Sequence, residues 1–197
     1  MAIVLPASPA PARAKPRLVQ FGLDLKPPTG AEAQRALRLG TRYAVELAYP
    51  PMTKAQFDDL FGALLDAATQ ETTVVAEYPQ GAGGGVGAPL VNGGGQTGST
   101  LNADGLTAGV AIPRGRFFSF QAGGRHYLHA TRQAVTASGG GAAALPIGPM
   151  LRASPADNAA LEFVAPKIEG FVGIDEIAWD HDEAGIYRIA FTITENA

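Results

Sequence analysis

The chain has 197 residues, enough for one large or two small domains with a real core. Only 17% of them are charged, against a usual share of about 25%, and the net charge of −3 offers no general attraction to nucleic acid or anionic membrane. With no cysteine, disulfides, thiolate metal sites and cysteine nucleophiles are excluded together.

Residues 1–16 carry prolines at 6, 9, 11 and 16 among alanines, which predicts an extended arm that is disordered in isolation. The stretch lacks the apolar core of a signal peptide, and no later run is long enough to span a bilayer. The expectation is a soluble, non-secreted protein. Val19, Phe21, Leu23 and Leu25 alternate with polar or small residues and predict a half-buried strand stopped at Pro27-Pro28. Tyr43, Val45, Leu47 and Tyr49 repeat the pattern up to Pro50-Pro51.

A helix follows over Met52–Thr69. Thr53 and Gln56 have the spacing of a capping box, with Met52 and Phe57 placed as the hydrophobic staple. Phe57, Leu60, Phe61, Leu64 and Leu65 form one apolar stripe, and Lys54, Asp58, Asp59 and Asp66 point away from it. A helix of this length is marginal alone in water, so the stripe must lie on a sheet or on another subunit.

Thr72–Tyr78 reads as a strand, and residues 81–98 (GAGGGVGAPLVNGGGQTG) as a Gly-rich loop. Short β-units come next: a hairpin of Arg116–Gln121 and Arg125–Thr131 around Gly123-Gly124, then Ala142–Ile147, then Leu161–Val164. Asp175–Trp179 and Ile186–Glu195 flank the turn His181–Gly185 as a terminal hairpin. Val74 and the last strand are expected in the sheet begun by Val19 and Val45.

Candidate chemistry is thin. Neither G-x-G-x-x-G nor G-x-x-x-x-G-K-[ST] occurs in the Gly-rich loop, and β-structure rather than a helix follows it, so it reads as a connection or a subunit contact. His126 and His129 fall on opposite faces of a strand, which argues against a shared metal and for surface or interface positions. Asp180, His181, Asp182 and Glu183 are read as turn residues rather than a cation site. Ser99 and Ser119 lack a nucleophile motif, and paired carboxylates such as Asp58 and Asp59 need only solvent. Arg114, Arg116, Arg125 and Arg132 interleave with Phe117, Phe118 and Tyr127, a mixture that suits single strands on a barrel but is read as core and interface. No catalytic residue, cofactor-binding residue or metal ligand is assigned, no cofactor is expected, and the reading is not an enzyme.

Three segments carry a resemblance: GTRYAVELAYPPMTKAQFDDLFGALLDA, GLTAGVAIPRGRFFSFQAGGRHYLHATRQAVTASGGGAAALPIGPMLR and VAPKIEGFVGIDEIAWDHDEAGIYRIAFTITE. Together they resemble the distal tail proteins of tailed bacteriophages, prophages and gene-transfer agents. The resemblance implies a mainly β chain: a tail-tube-like β-sandwich with one flanking α-helix, and an inserted small OB-like β-barrel. On that reading 1–16 is the Pro/Ala-rich arm, 17–80 and 165–197 with helix 53–69 build the ring-forming sandwich, 81–98 is the Gly-rich loop and 99–164 the barrel. It further implies a virion structural protein at the tail tip, assembled in the host cytoplasm. The partners implied are copies of itself in a homo-hexameric ring, the tail tube protein and hub or fibre proteins, with no nucleic-acid sequence recognition and no membrane insertion. The alternatives are another tail-tip or baseplate adaptor, a tube subunit, or a barrel binding carbohydrate or single-stranded nucleic acid through exposed Phe118 and Tyr127.

Overall fold

The computed structural model describes residues 2–196 except 26, 27, 29, 31, 33, 37, 38, 82–84 and 174–176. It is mainly β, with several sheets and one helix among the described residues. In chain order come β1 (Ile3–Val4), β2 (Arg13–Val19), β3 (Leu23–Leu25), β4 (Gln34–Ala36), β5 (Arg42–Ala48), α1 (Lys54–Thr69) and β6 (Val74–Glu77). Next are β7 (Gly87–Val91), β8 (Gly98–Leu106), β9 (Ala111–Ile112), β10 (Phe117–Ala122), β11 (Arg125–Thr131), β12 (Val135–Thr136) and β13 (Ala143–Leu151). The last three are β14 (Lys167–Val172), β15 (Ala178–His181) and β16 (Tyr187–Glu195).

The largest sheet has seven strands in the order β1-β6-β14-β16-β5-β2, with β15 also paired to β16. Alternation sets its inner face. Ile189, Phe191 and Ile193 of β16 stand beside Leu47 and Val45 of β5 in register and are buried with them. Helix α1 closes this core by lying against β14, β16 and β1. Its capping box forms, with Gln56 Oε1 accepting the Thr53 backbone N–H at 3.0 Å. Met52 and Phe57 of the staple are both buried.

The apolar stripe differs from the expected one at its far end. Phe57, Leu60, Leu64 and Ala67 are buried, Phe61 is half-buried, and Leu65 is 50% exposed. Leu65 lies on the flank of the stripe, and the small Ala67 lets the last turn sit close to the sheet.

The arm is also different from its expectation. Ile3 and Val4 pair in parallel with Val74 and Val75, Leu5 is buried in the helix-covered core, and Arg13–Val19 pairs along the whole of β5. Sheet pairing, not composition, decides its conformation. Beyond Val19 the predicted strand breaks: Phe21, Leu23 and Leu25 are exposed, and β3 pairs only with β4. Pro27 lies outside the described residues.

Close approach of β14 to β16 requires Gly170, where a Cβ would overlap the Thr194 carbonyl. Past Val172 the strand resumes as β15 on the same edge of β16, so the terminal hairpin forms with His181 inside β15 rather than in the turn. Asp175 lies outside the described residues.

The second sheet runs β10-β11-β13-β8-β7 over its own core, which includes Phe118, Phe120, Leu145, Ile147 and Phe163. The predicted hairpin forms, with Ala122 opposite Arg125 and both turn glycines at positive φ. Two expectations fail. Part of the Gly-rich stretch is strand β7, because Pro89 and Val91 find buried places beside β8, while 82–84 lie outside the described residues. Leu161–Val164 is not a strand: it joins the second sheet through the isolated bridge Ser119–Glu162 and the Leu161 N–H donating to the Pro89 carbonyl at 2.9 Å, with Leu161 and Phe163 buried in the second core.

These placements separate Leu60 from Leu65. Leu60→Ala should lower stability by about 2–5 kcal/mol, as for a large-to-small core change. Leu65→Ala should change it by about 0.5 kcal/mol or less. Urea unfolding of both variants checks the pair.

Candidate functional site

The two cores meet along an edge that the second sheet leaves open. β11 pairs with β10 over its full length but with β13 only at Ala130 and Thr131. Its earlier outward N–H groups therefore need other acceptors, since a buried orphan donor costs about 1–3 kcal/mol. Two carboxylates of the seven-stranded sheet supply them. Glu169 Oε2 accepts the His126 N–H at 2.9 Å, and Glu195 Oε1 accepts the Leu128 N–H at 2.8 Å.

Glu195 continues the alternation of Ile189, Phe191 and Ile193, which sends its side chain inward. Its Oε2 accepts the Tyr43 N–H at 2.7 Å and meets Arg152 Nη2 at 2.9 Å. Both side chains of this ion pair are buried, at 1% and 5% exposure for Glu195 and Arg152. Burial pushes the Glu195 carboxyl upward, while Arg152 and the two backbone N–H groups pull it down. Arg152 also lies over the Tyr127 ring at 5.4 Å. Glu169 additionally accepts the Thr73 hydroxyl at 2.9 Å.

A second clamp is Gln80. Its Nε2 donates to the carbonyls of Phe117 and Phe163, each at 2.8 Å, and its Oε1 accepts the Phe117 N–H at 3.2 Å. One side-chain amide thus replaces a neighbouring strand on the edge of β10. Phe117 packs between Tyr43 and Tyr78, with ring centroids 5.4 and 4.5 Å away. Arg116 adds hydrogen bonds to the Phe163 and Gly81 carbonyls at 2.6 and 3.0 Å.

The residues singled out from sequence are mostly structural. His126 and His129 do diverge, but His129 is fully buried rather than at a surface, stacked on Phe120 and hydrogen-bonded through Nδ1 to the Pro149 carbonyl at 2.9 Å. Phe118 is buried in the second core and Tyr127 is half-buried, so the exposed aromatic platform required for strand or glycan binding is missing at these positions. Ser119 is buried, its hydroxyl accepting the Lys167 N–H at 2.9 Å. Asp182 accepts the Ile186 N–H at 3.0 Å and faces Arg188 at 3.8 Å. Among the described residues no group of three His, Asp or Glu side chains could hold a metal. A groove of about 380 Å³ lined by Gln121, His126, Glu162 and Lys167 has internal polar contacts, Gln121 to His126 at 3.0 Å and Glu162 to the Val164 and Ala165 N–H groups.

The open apolar surface lies elsewhere. Leu18 near the end of β2, Phe21, Leu23 and Leu25 at and around β3, and Leu39 before β5 are all exposed and belong to neither core. Arg42 covers part of Phe21, its guanidinium 4.6 Å from the ring centroid. No protein-family model matches the chain, and a search of the curated proteins finds no match.

Two tests follow from the joint. Glu195→Ala leaves Arg152 buried without its countercharge and orphans two N–H groups, and should cost about 3–5 kcal/mol in urea unfolding. His129 is pushed down to about 3 by burial, with Arg152 adding to the effect. Because this lies below the ordinary 6.5, the unfolded chain takes up the proton first. The contribution of neutral His129 is full above pH 6.5 and is lost as pH falls toward 3. His129→Asn should flatten the stability-against-pH curve across that window, measured by chemical unfolding at successive pH values.

Proposed function

We propose that this chain is a structural protein of a phage-type tail tip, a distal tail protein that closes into a ring joining the tail tube to the hub. The observation that carries the reading is the run of exposed apolar residues around the β3–β4 hairpin, Leu18, Phe21, Leu23, Leu25 and Leu39, outside both cores. A contiguous apolar surface outside the cores marks an interaction site, and a two-stranded hairpin is marginal alone. A neighbouring copy buries it.

On this reading the helix-covered sheet with its associated strands is the tube-like sandwich that forms the ring, hexameric as the resemblance implies. The second core is the OB-like barrel, starting at β7 and facing other tip components. Glu169, Glu195 and Gln80 hold the barrel at a fixed angle on the ring, so its position repeats around the axis. The job is geometric: one ring face matches the tube and the other holds the hub.

Light scattering and negative-stain imaging of the purified chain should give a closed ring. Phe21→Asp combined with Leu23→Asp should leave folded monomers with an unchanged circular dichroism spectrum. Long polymers instead of single rings would identify a tube subunit, and a strict monomer at high concentration would overturn the reading.

A further inference from the structure

A ring needs two different surfaces per copy that fit each other, and the seven-stranded sheet has two unlike edges. At one side stands β2; the other side is bounded by β1 along β6 and, farther along β16, by β15, and among the described residues neither β2 nor β15 has a ladder partner on its outer side. The register ties them together. Arg13 lies beside Ala48, Ala48 beside Ala190 and Ala190 beside Ala178, so these four residues form one row on the face opposite Val45 and Leu47. By the two-residue alternation, Arg17 and Asp180 share that face.

The charges are opposite. β2 presents exposed Arg13, Lys15 and Arg17, with Lys15 partly engaged by Glu46 at 3.7 Å. β15 is exposed at all four residues and carries Asp180, with exposed Glu183 in the turn that follows. β2 and β15 also run in opposite directions, since β15, β16, β5 and β2 are antiparallel at each step. Two copies in the same orientation therefore bring β2 and β15 together as an antiparallel pair.

We infer that the β2 edge of one copy docks on the β15 edge of the next, with Arg17 opposite Asp180 and Arg13 beside Glu183. This rests on the ring reading and names its interface. Two β2 edges repel each other, as lysine- and proline-bearing edges do, which disfavours a two-fold dimer and leaves the acidic edge as the matching partner.

Charge reversal tests it by light scattering with imaging. Arg13→Glu with Arg17→Glu should convert at least nine-tenths of the rings to monomers, and Asp180→Arg with Glu183→Arg should do the same. The chain carrying all four changes should form rings again. All these positions are exposed, and circular dichroism checks that each variant folds. Rings that persist in both double variants, or a quadruple variant that stays monomeric, would overturn this interface while leaving the ring reading intact. A wild-type chain that forms no ring would remove the ring reading itself.

Discussion

The structure depends on how one open strand edge is satisfied. β11 has a partner on one side and almost none on the other, and its N–H groups at His126 and Leu128 point toward the larger sheet. Glu169 and Glu195 accept them, so two side chains do what a further strand would otherwise do. A ladder would have forced both sheets into one continuous surface. Carboxylates instead let two sheets with separate cores meet at an edge while the His126 and Leu128 N–H groups keep acceptors. Arg152 neutralises Glu195 inside the joint, and Leu128 inserts into the helix-covered core beside it. A buried pair of this kind is not a large net source of stability, but losing one half is costly, which fixes the geometry.

That arrangement sorts the surface into closed and open parts. The joint is closed: Gln80, Arg116, Tyr43 and Phe117 use their polar and aromatic groups on each other. The open parts are the exposed Leu18, Phe21, Leu23, Leu25 and Leu39 and the β2 and β15 edges of the seven-stranded sheet. A joint with its polar groups engaged and an exposed apolar periphery are what the proposed ring subunit requires.

Periodicity made the strands around Val45 and Ile189 legible, and the Thr53–Gln56 spacing made the helix start legible, because both are local. What remained hidden depends on distant partners. Leu65 and Ala67 exchange places because the sheet, not the helix, chooses which flank is covered. The strand β7 was obscured by glycine-rich composition, and the arm by proline, although pairing with β8 and β6 overrides both. His129 gave no sign of full burial, since its acceptor is the Pro149 carbonyl 20 residues away. Glu195 did leave a signal: a carboxylate at an inward position of the alternation Ile189, Phe191, Ile193 must find buried donors. Its partners Tyr43, Leu128 and Arg152 lie too far along the chain for spacing to identify them.

The proposed role is positional, a ring between a tail tube and its tip. The most direct measurement is a particle reconstruction of the tail assembled with this chain. The account predicts a single ring of this protein at the end of the tube, with the helix-covered sheet toward the ring and the second β unit at a constant angle to it. Density that places the chain in no part of the tail, or repeats it along the whole tube, would contradict that claim.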